Sequence, residues 1–267
     1  MHIGSLDLDS RLFFIAGPCL VEGREMLRET AERLAAIAAR FSVPIILKGS
    51  FKKANRTSGS SFVTIGEEEA LGILAETGAA FGLPTITDIH TAEDADLAAR
   101  YVDALQIPAF LCRQTELIQA AARTGKALNI KKGQFMAPED MRHAVEKARD
   151  AGNDNVMLCE RGTTFGYHNL VVDMRSLPIM REAGVPVVYD ATHSVQLPSI
   201  AGVSSGQPQF ILPLARAALA VGVDGVFFET HPDPSRALSD AASQLPLESA
   251  GEFVRQCVLT DQLIRSL

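Results

Sequence analysis

The segment that decides the fold is residues 12–47, in which the apolar run LFFIA (12–16) is followed by an amphipathic stretch and then by a second apolar run, PIIL (44–47). Short continuous apolar runs are typical of parallel strands that are buried on both faces. Between the two runs, apolar side chains recur at spacings of four and three, at Leu27, Ala31, Leu34, Ala38 and Phe41. This spacing places them on one face of a helix. The segment therefore predicts two parallel strands joined by a helix.

The same alternation continues to the end of the chain. Further apolar runs occupy residues 83–87, 104–107, 127–130, 155–158, 185–189 and 225–228. Helical patterns fall at 67–80, 91–100, 114–124, 139–150, 174–183, 213–220 and 248–266, and one of them begins with the capping sequence TAED (91–94). Eight strands that alternate with eight helices predict an α/β fold, a closed parallel (β/α)8 TIM barrel, with residues 1–267 forming a single domain.

An open, doubly wound sheet is the alternative architecture. The count of eight strands disfavours it, and so does the lack of a glycine-rich dinucleotide turn after the first strand. Residues 1–11 precede the barrel pattern, and the alternation of Leu6 and Leu8 predicts a short N-terminal hairpin that closes the bottom of the barrel.

Composition narrows the class of protein. Of the 267 residues, 47% are hydrophobic and 21% are charged, and the net charge of −7 argues against a nucleic-acid surface. No apolar stretch approaches the roughly 20 residues of a membrane span, and the N-terminus lacks a signal sequence, so a soluble, cytoplasmic protein is expected.

The four cysteines form no CxxC pair. Disulfides are therefore not expected, and any special cysteine would be a ligand or a nucleophile.

Polar or ionisable residues follow nearly every predicted strand. The segments are GPC (17–19), KGSFKKANRTS (48–58), TDIH (87–90), PAF (108–110), KKGQ (131–134), ERG (160–162), DATH (190–193) and ETH (229–231). The reactive groups of such barrels lie where the strands end and the loops begin. Chance supplies two or three polar strand ends, but a full ring predicts a site at the C-terminal face of the barrel.

One set of residues in this ring has the chemistry of a metal site. Cys19, His193 and Glu229 follow strands one, seven and eight, which are neighbours in a closed barrel, and Asp240 follows the last strand. A thiolate, an imidazole and two carboxylates suit a divalent transition metal, with Fe, Zn, Mn and Co all compatible. Taken alone, a buried cysteine such as Cys19 is more often a small core residue.

A second set consists of the cations Lys48, Lys53, Arg56, Lys131 and Arg161, which follow strands two, five and six. Cations held close together repel one another unless anions lie between them, so the set predicts sites for two separate anions. Arginine can hold phosphate through two parallel hydrogen bonds, whereas lysine acts as a point charge. The alternative is a group of solvated surface lysines on a basic turn.

Asp88 and His90 lie at the end of the third predicted strand. Both residue types can position hydroxyl groups or a ligand. A carboxylate at a strand end can equally well cap the helix that follows it, so the role of Asp88 stays open between these two interpretations.

Seven motifs at these positions resemble the 3-deoxy-D-manno-octulosonate 8-phosphate synthase family, also known as 2-dehydro-3-deoxyphosphooctonate aldolases. They are AGPC (16–19), FKKANR (51–56), QIPAFLCRQT (106–115), KKGQF (131–135), RGTTFGY (161–167), DATHSVQ (190–196) and ETHP (229–232). The resemblance covers residues 13–247. It implies an enzyme that condenses phosphoenolpyruvate with D-arabinose 5-phosphate and water, giving 3-deoxy-D-manno-octulosonate 8-phosphate and phosphate, a step toward the inner-core sugar of lipopolysaccharide.

The related 3-deoxy-arabino-heptulosonate 7-phosphate synthases are the alternative within this chemistry. They typically carry KPRT where this chain has KANR (53–56), so Asn55 favours the five-carbon acceptor. The resemblance also implies a homotetramer. Two segments depart from the family pattern, residues 61–66 and residues 199–209, and they leave acceptor closure and subunit contact open.

The resemblance implies a role for individual residues. Those implied around phosphoenolpyruvate are Lys48, Ser50, Lys53, the Ala109 backbone, Lys131 and Arg161. Those implied around arabinose 5-phosphate are Asn55, Arg56 and Thr57, with Arg113 reaching the sugar phosphate of a neighbouring subunit. Members with a cysteine at the position of Cys19 belong to a metal-dependent class, and members with asparagine there belong to a metal-free class. The catalytic group is then Lys53, as a proton relay, together with Cys19, His193 and Asp240.

Two other functions fit the same barrel. A class I aldolase would use Lys48 or Lys131 as a Schiff-base nucleophile, although the surrounding cations favour a phosphate site. A non-catalytic phosphosugar-binding barrel would need none of the metal ligands, and candidates for all four are present.

Overall fold

Eight parallel strands close into a barrel in the computed structural model, which describes residues 1–9, 12–54, 62–163, 169–200 and 203–267, with the backbone alone at 198–200 and 203–205. The barrel strands are β1 (Phe13–Gly17), β2 (Ile45–Lys48), β3 (Thr85–Asp88), β4 (Ala104–Ile107), β5 (Ala127–Lys131), β6 (Val156–Glu160), β7 (Val187–Asp190) and β8 (Gly225–His231). Each strand pairs in parallel with the next, and β8 pairs with both β7 and β1. The predicted (β/α)8 barrel is confirmed.

A helix follows each barrel strand in the chain. The helices are α1 (Arg24–Phe41), α2 (Glu67–Phe81), α3 (Ala92–Ala98), α4 (Thr115–Arg123), α5 (Arg142–Asp150), α6 (Ser176–Arg181), α7 (Ile211–Val221) and α8 (Leu247–Arg265). The pattern predicted at 139–150 divides into a 3-10 turn, Pro138–Met141, and then α5. Proline at the first position of that turn suits a helical start, because it lacks only an N–H group that would have no partner there.

Side chains alternate between two cores along each strand, as the period of two requires. Outward residues such as Phe14, Leu47 and Ile107 pack with the helices. Inward residues such as Phe13 and Ile46 fill the lower half of the barrel. The near-continuous apolar runs in the sequence arise because both faces of each strand are buried.

The inward positions change from apolar to polar toward the C-terminal ends of the strands. Two residues after an inward apolar side chain the strands carry Lys48, Asp88, Gln106, Asn129, Asp190 and Glu229, and all six are buried. Because side chains two residues apart share a face, these groups point into the barrel above the apolar layer. They form an inner wall of buried polar groups. Four of them, Lys48, Asp88, Asp190 and Glu229, belong to the ring predicted from the sequence, whereas Gln106 and Asn129 lie outside the predicted segments.

The N-terminal hairpin predicted from Leu6 and Leu8 is confirmed. His2–Ile3 pairs antiparallel with Leu6–Asp7, and Ile3 and Leu8 pack with the inward apolar residues of the barrel. The hairpin thus covers the bottom of the barrel, at the end opposite the polar wall. Among the described helices, none is both long enough and apolar enough to cross a membrane.

Two strand pairings were not predicted. An antiparallel hairpin, Gln196–Ile200 with Val203–Gly206, follows β7, and the two-residue strand Leu245–Pro246 extends the sheet beside β8. Pro198 argues against a strand in the first of these segments, since proline cannot donate to the ladder. The second segment is too short to produce a periodic pattern.

Candidate active site

Lys48 lies at the centre of the polar end of the barrel. Its Nζ donates to Glu229 Oε1 at 2.7 Å and to the Cys19 carbonyl oxygen at 2.9 Å, and lies 3.7 Å from Asp88 Oδ2. The Lys48 side chain is 1% exposed. A buried ammonium group is costly unless it is paired, and here two carboxylates and a carbonyl compensate it.

Asp88 begins a chain of hydrogen bonds along the inner wall. Its Oδ2 accepts from the Ser50 hydroxyl, and its Oδ1 accepts from Gln106 Nε2 at 2.7 Å. Gln106 Oε1 in turn accepts from Asn129 Nδ2 at 2.8 Å. The chain fixes the orientation of the Asp88 carboxylate toward the interior of the barrel.

The interpretation that Asp88 caps the following helix is wrong. Thr91 is the N-cap of α3, and its hydroxyl accepts from the Asp94 N–H at 3.2 Å. His90 lies beside this cap, with its backbone N–H donating to Asp94 Oδ2 at 2.9 Å and its Nδ1 lying 3.4 Å from the same oxygen. His90 therefore belongs to the start of α3.

Lys131, Asp190 and His193 form a second group. Lys131 Nζ lies 2.6 Å from Asp190 Oδ2 and 3.7 Å from the centre of the Phe227 ring. The same Asp190 oxygen lies 2.8 Å from His193 Nδ1. A carboxylate can only accept, so Nδ1 carries the proton and the Nε2 atom of a neutral ring offers its lone pair. Nε2 lies 3.5 Å from Glu229 Oε1.

Cys19, Glu229 and Asp240 come together in a third group. One ligand atom from each lies within 4.8 Å of the other two, and Cys19 Sγ is 3.0 Å from Asp240 Oδ2. His193 is not part of this three-atom group, but its Nε2 approaches the group through Glu229. Three of the four predicted metal ligands, Cys19, Glu229 and Asp240, are therefore adjacent, and the fourth, His193, lies next to Glu229.

Gly17 allows Cys19 to reach this position. A Cβ atom at Gly17 would lie 1.9 Å from the Lys48 carbonyl oxygen, and the backbone φ is +155°. Only glycine permits so close an approach of two backbones. The chain can therefore turn inward directly after β1 and bring Cys19 under the carboxylates.

Lys53 and Arg161 are the other two predicted phosphate-site cations among the described residues. Lys53 Nζ lies 3.5 Å from Asp240 Oδ2. Arg161 is 6% exposed, and its Nη2 donates to Gln196 Oε1 at 2.8 Å. The other guanidinium nitrogens leave donors for an anion, because arginine offers five N–H groups in a planar fork.

The electrostatic field holds the carboxylates ionised. Burial alone would raise the pKa of Asp190, but His193 and Lys131 lower it below its ordinary value. Burial would likewise raise the pKa of Glu229 and of Asp240, and the net shift is downward in both, chiefly through Lys48 for Glu229 and Lys53 for Asp240. These carboxylates are therefore available as acceptors or ligands at neutral pH.

The Cys19 thiol behaves in the opposite way. Burial, followed by the negative charges of Asp240 and Glu229, raises its pKa well above the ordinary value. Lys53 and Lys48 oppose this shift but do not overcome it, and the S–H group contacts Asp240 Oδ2. A metal ion would reverse this, because a coordinating thiol is deprotonated.

Comparison with known proteins identifies the family. The model of the DAHP synthetase I family matches residues 4–265. The chain belongs to this family. It is 53% identical over 262 residues to a 2-dehydro-3-deoxyphosphooctonate aldolase of Azoarcus sp., a match that covers 97% of this chain and 94% of the relative.

Two further relatives of the family carry the same name. The protein from Laribacter hongkongensis is 54% identical over 266 residues, with 97% of this chain and 94% of the relative covered. The protein from Burkholderia vietnamiensis is 52% identical over 265 residues, with 97% and 93% covered. The resemblance to 2-dehydro-3-deoxyphosphooctonate aldolases predicted from the motifs is confirmed.

Not every residue implied by the family motifs joins the described cluster. Ala109 is 7% exposed at the start of the loop after β4, and its carbonyl oxygen accepts from the Cys112 N–H at 3.4 Å. Arg113 is exposed in the same loop, and its carbonyl accepts from Lys147 Nζ at 2.9 Å. Asn55, Arg56 and Thr57 lie outside the described residues. The role of each of these five residues stays a prediction.

Four members of the site have no predicted role of their own in the sequence analysis. Asp190 appears there only in the strand-end ring, although it pairs with Lys131 and orients His193. Gln196 appears only as the end of the DATHSVQ motif, although it accepts from Arg161. Gln106 and Asn129 extend the hydrogen-bond chain from Asp88. The signal for Asp190 was its position at the end of β7, three residues before His193. No pattern in the sequence singles out Gln196.

Proposed function

We propose that this protein condenses phosphoenolpyruvate with D-arabinose 5-phosphate and water, giving 3-deoxy-D-manno-octulosonate 8-phosphate and phosphate. The observation that carries the proposal is the convergence of Lys48, Lys53, Lys131 and Arg161 on one buried end of the barrel. The shared name of relatives that match 97% of the chain supports it. The product links the reaction to the inner-core sugar of lipopolysaccharide.

The two substrates bring phosphate and carboxylate groups into one pocket. Lys131 is the last residue of β5 and Arg161 directly follows the adjacent β6, and they would hold the phosphate of phosphoenolpyruvate, with the Ala109 backbone beside them. Lys48, Ser50 and Lys53 would face its carboxylate and reacting end. Arg56, with Asn55 and Thr57, would hold arabinose 5-phosphate, whose hydroxyl groups Asp88 would orient. Neutralising these anions lets them approach, and proximity is the first contribution to catalysis.

The bond changes follow from the substrates. Carbon 3 of phosphoenolpyruvate forms a bond with the aldehyde carbon of the sugar phosphate, and the aldehyde oxygen takes up a proton. Water adds to carbon 2, and cleavage of the bond between carbon 2 and the ester oxygen then releases inorganic phosphate and leaves the ketone. Lys53, which lies 3.5 Å from Asp240, would relay the proton.

The residues beside Cys19 fit a divalent metal ion. Glu229 Oε2 is buried and has no hydrogen-bond partner among the described residues. Cys19 Sγ, Asp240 Oδ2 and the lone pair of His193 Nε2 converge on the same region. We propose that Cys19, His193, Glu229 and Asp240 hold Fe, Zn, Mn or Co. When bound, such an ion supplies Lewis-acid polarisation of an oxygen atom.

Charge balance supports a metal-dependent enzyme. Among the described residues of the site, Lys48, Lys53, Lys131 and Arg161 face four carboxylates, so they alone leave no excess of positive charge for two anionic substrates. A divalent ion adds positive charge at this end of the barrel. It would also make the Cys19 thiolate stable where burial otherwise keeps the thiol protonated.

The class I aldolase alternative is disfavoured by the state of Lys48. Burial alone would lower its pKa, but Glu229 and Asp88 raise it above the ordinary value of an amine. A Schiff-base lysine needs the opposite shift, because the neutral amine is the nucleophile. Borohydride trapping with pyruvate would label Lys48 or Lys131 only if this alternative holds.

We further propose a cytoplasmic homotetramer in which Arg113 reaches the sugar phosphate of a neighbouring subunit. Phe110, in the same loop as Arg113, is 58% exposed, and Phe135, after β5, is 55% exposed. Large exposed aromatic side chains are enriched at protein interfaces. Light scattering after gel filtration measures the assembly, and an Arg113→Ala variant tests the subunit contact through the Michaelis constant for arabinose 5-phosphate.

The decisive experiment is phosphate release from phosphoenolpyruvate with arabinose 5-phosphate, before and after treatment with a chelator. A four-carbon aldose phosphate serves as the competing acceptor and tests the 3-deoxy-arabino-heptulosonate 7-phosphate alternative. We expect turnover with the five-carbon sugar and loss of turnover after chelation. No phosphate release with either sugar would favour a non-catalytic phosphosugar-binding barrel.

A further inference from the structure

The segment that carries Asp240 is tied to the loop after β1 by two side chains, Glu22 and Gln244. Glu22 Oε1 accepts from the Leu238 N–H at 2.8 Å. Gln244 Oε1 accepts from the Cys19 N–H at 3.1 Å, and its Nε2 donates to the Ser239 carbonyl at 2.9 Å. The two side chains therefore attach the residues just before Asp240 to the segment that contains Cys19.

Asp240 itself adopts an uncommon backbone conformation. Its φ is +46°, in the left-handed region that residues with side chains rarely adopt. The Ser243 N–H donates to the Asp240 carbonyl at 3.0 Å and closes the turn. Such a conformation persists only where the surrounding contacts hold it, and such residues cluster at functional sites. Glu22 and Gln244 supply contacts of this kind on the N-terminal side of the turn.

His231 lies beside Glu22. Its Nδ1 accepts from the Asp233 N–H at 3.0 Å, so the proton of the neutral ring is on Nε2. Nε2 lies 3.5 Å from Glu22 Oε2. The carboxylate of Glu22 thus spans from the ring of His231 to the backbone of Leu238, and its side chain is only 12% exposed.

We propose that Glu22 and Gln244 are positioning residues that hold the Asp240 carboxylate against Cys19, and so preform the metal site. The inference rests on the proposed function, because the metal set is part of that proposal. Neither residue contributes an atom to the Cys19, Glu229 and Asp240 group. They act through the backbone, by fixing the separation between the loop after β1 and the loop after β8.

Two readouts on Glu22→Ala and Gln244→Leu test the proposal without an activity assay. In the first, Co²⁺ is titrated into metal-free protein, and the dissociation constant is read from the thiolate absorption band. Outer groups that orient metal ligands typically change metal affinity by about 10–100-fold, and we expect a weakening of that size. Glu25→Ala and Gln262→Leu, both on exposed positions, are the matched controls and should bind as the wild type does.

The second readout needs no metal. All four cysteines are free and buried, so in metal-free wild-type protein a thiol reagent should modify each of them slowly. In the two variants we expect Cys19 to be labelled several times faster, while labelling of Cys159 stays at the wild-type rate and excludes general unfolding. Peptide mass spectrometry distinguishes the two sites. Glu22→Gln retains an acceptor for the Leu238 N–H and should give a smaller increase than Glu22→Ala.

The outcomes separate the inference from the proposed function. Wild-type protein that binds Co²⁺ tightly, with variants that match it in both affinity and Cys19 labelling, would overturn the positioning role and leave the metal proposal standing. Wild-type protein that binds no Co²⁺ would overturn the metal site and the positioning role together. Weakened binding together with faster labelling of Cys19 alone supports both.

Discussion

The ammonium group of Lys131 and the carboxylate of Asp190 form an ion pair of 2.6 Å at the buried end of the barrel. The pair connects the predicted phosphate site with the predicted metal site. Lys131 belongs to the first, and Asp190 also contacts His193, a predicted ligand of the second. The two predicted sites therefore share a single carboxylate, that of Asp190.

The first prediction concerns Asp190→Asn. The substitution keeps the shape of the side chain and leaves Lys131 without a charged partner. Removing one member of a buried pair typically costs about 3–5 kcal/mol. We expect a decrease of that order in the free energy of unfolding, together with weaker metal binding because His193 loses the acceptor that orients it. Urea unfolding and a Co²⁺ titration measure the two effects.

The control for this prediction is Asp154→Asn. Asp154 pairs with Arg149 at 3.3 Å, but its side chain is 90% exposed. Exposed pairs contribute little to stability, so this variant should unfold as the wild type does. If Asp190→Asn unfolded at the same urea concentration as Asp154→Asn, the buried pair would have no structural importance.

The sequence predicts the barrel well because its signal is repeated eight times. Each strand is buried on both faces and each helix on one, so continuous apolar runs alternate with helical spacing along the whole chain. The hairpin Gln196–Ile200 with Val203–Gly206 escapes prediction because it occurs once and contains a proline. Local patterns predict elements that repeat, and they fail for elements that only tertiary contacts stabilise.

The sequence predicts individual residues of the site but not the pairs that they form. Strand ends reveal which residues face the mouth of the barrel, and this was enough to select Lys48, Lys131 and Glu229. It does not reveal which residues pair. The partner of Lys48 is 181 positions away in the sequence, and the partner of Lys131 is 59 positions away. Such pairings depend on which strands are neighbours in the barrel and on which residues of each strand point inward.

A second prediction concerns pH and Asp88. Burial alone would raise its pKa, but Lys48 and Lys53 lower it below the ordinary value. A carboxyl group of lowered pKa adds stability above its unfolded pKa of about 3.9, and this stability is lost as the pH falls toward the folded-state value. We expect the free energy of unfolding to vary little with this group above about pH 5 and to decrease below about pH 4.

Urea unfolding at a series of pH values compares the wild type with Asp88→Asn. The variant cannot titrate at this position, so its stability should decrease less steeply in acid. Equal slopes for the two proteins below about pH 4 would show that the ionisation of Asp88 is not linked to folding.

A third prediction contrasts two glycines. Gly17→Ala places a Cβ atom 1.9 Å from the Lys48 carbonyl oxygen, so the backbone must shift, and we expect a loss of about 1–3 kcal/mol. Gly72 lies inside α2, where a Cβ atom meets nothing within 4 Å. Gly72→Ala should instead raise stability by about 0.5–1 kcal/mol. Thermal unfolding measures both, and a melting temperature of Gly17→Ala at or above that of the wild type contradicts the prediction.

A fourth prediction concerns metal removal. Chelation should abolish phosphate release, and a divalent ion should restore it. His193→Ala should weaken metal binding by about 10-fold or more, whereas Cys19→Asn imitates the metal-free class of the family and should retain some turnover without metal. Metal content and activity are measured on the same samples. Full turnover by wild-type protein that contains no metal would refute metal dependence.

The last prediction concerns Arg161, which is 6% exposed and already donates one hydrogen bond, to Gln196 Oε1. Arg161→Lys keeps the charge but loses the planar fork, so binding of phosphoenolpyruvate through its phosphate should weaken. A ligand that binds only the folded state raises the melting temperature, and the variant should lose most of the increase that phosphoenolpyruvate causes in the wild type. Arg175→Lys, at a side chain that is 85% exposed, is the control and should retain the full increase. An unchanged increase in Arg161→Lys would show that the fork does not hold the phosphate, and the anion site would then consist of the lysines alone.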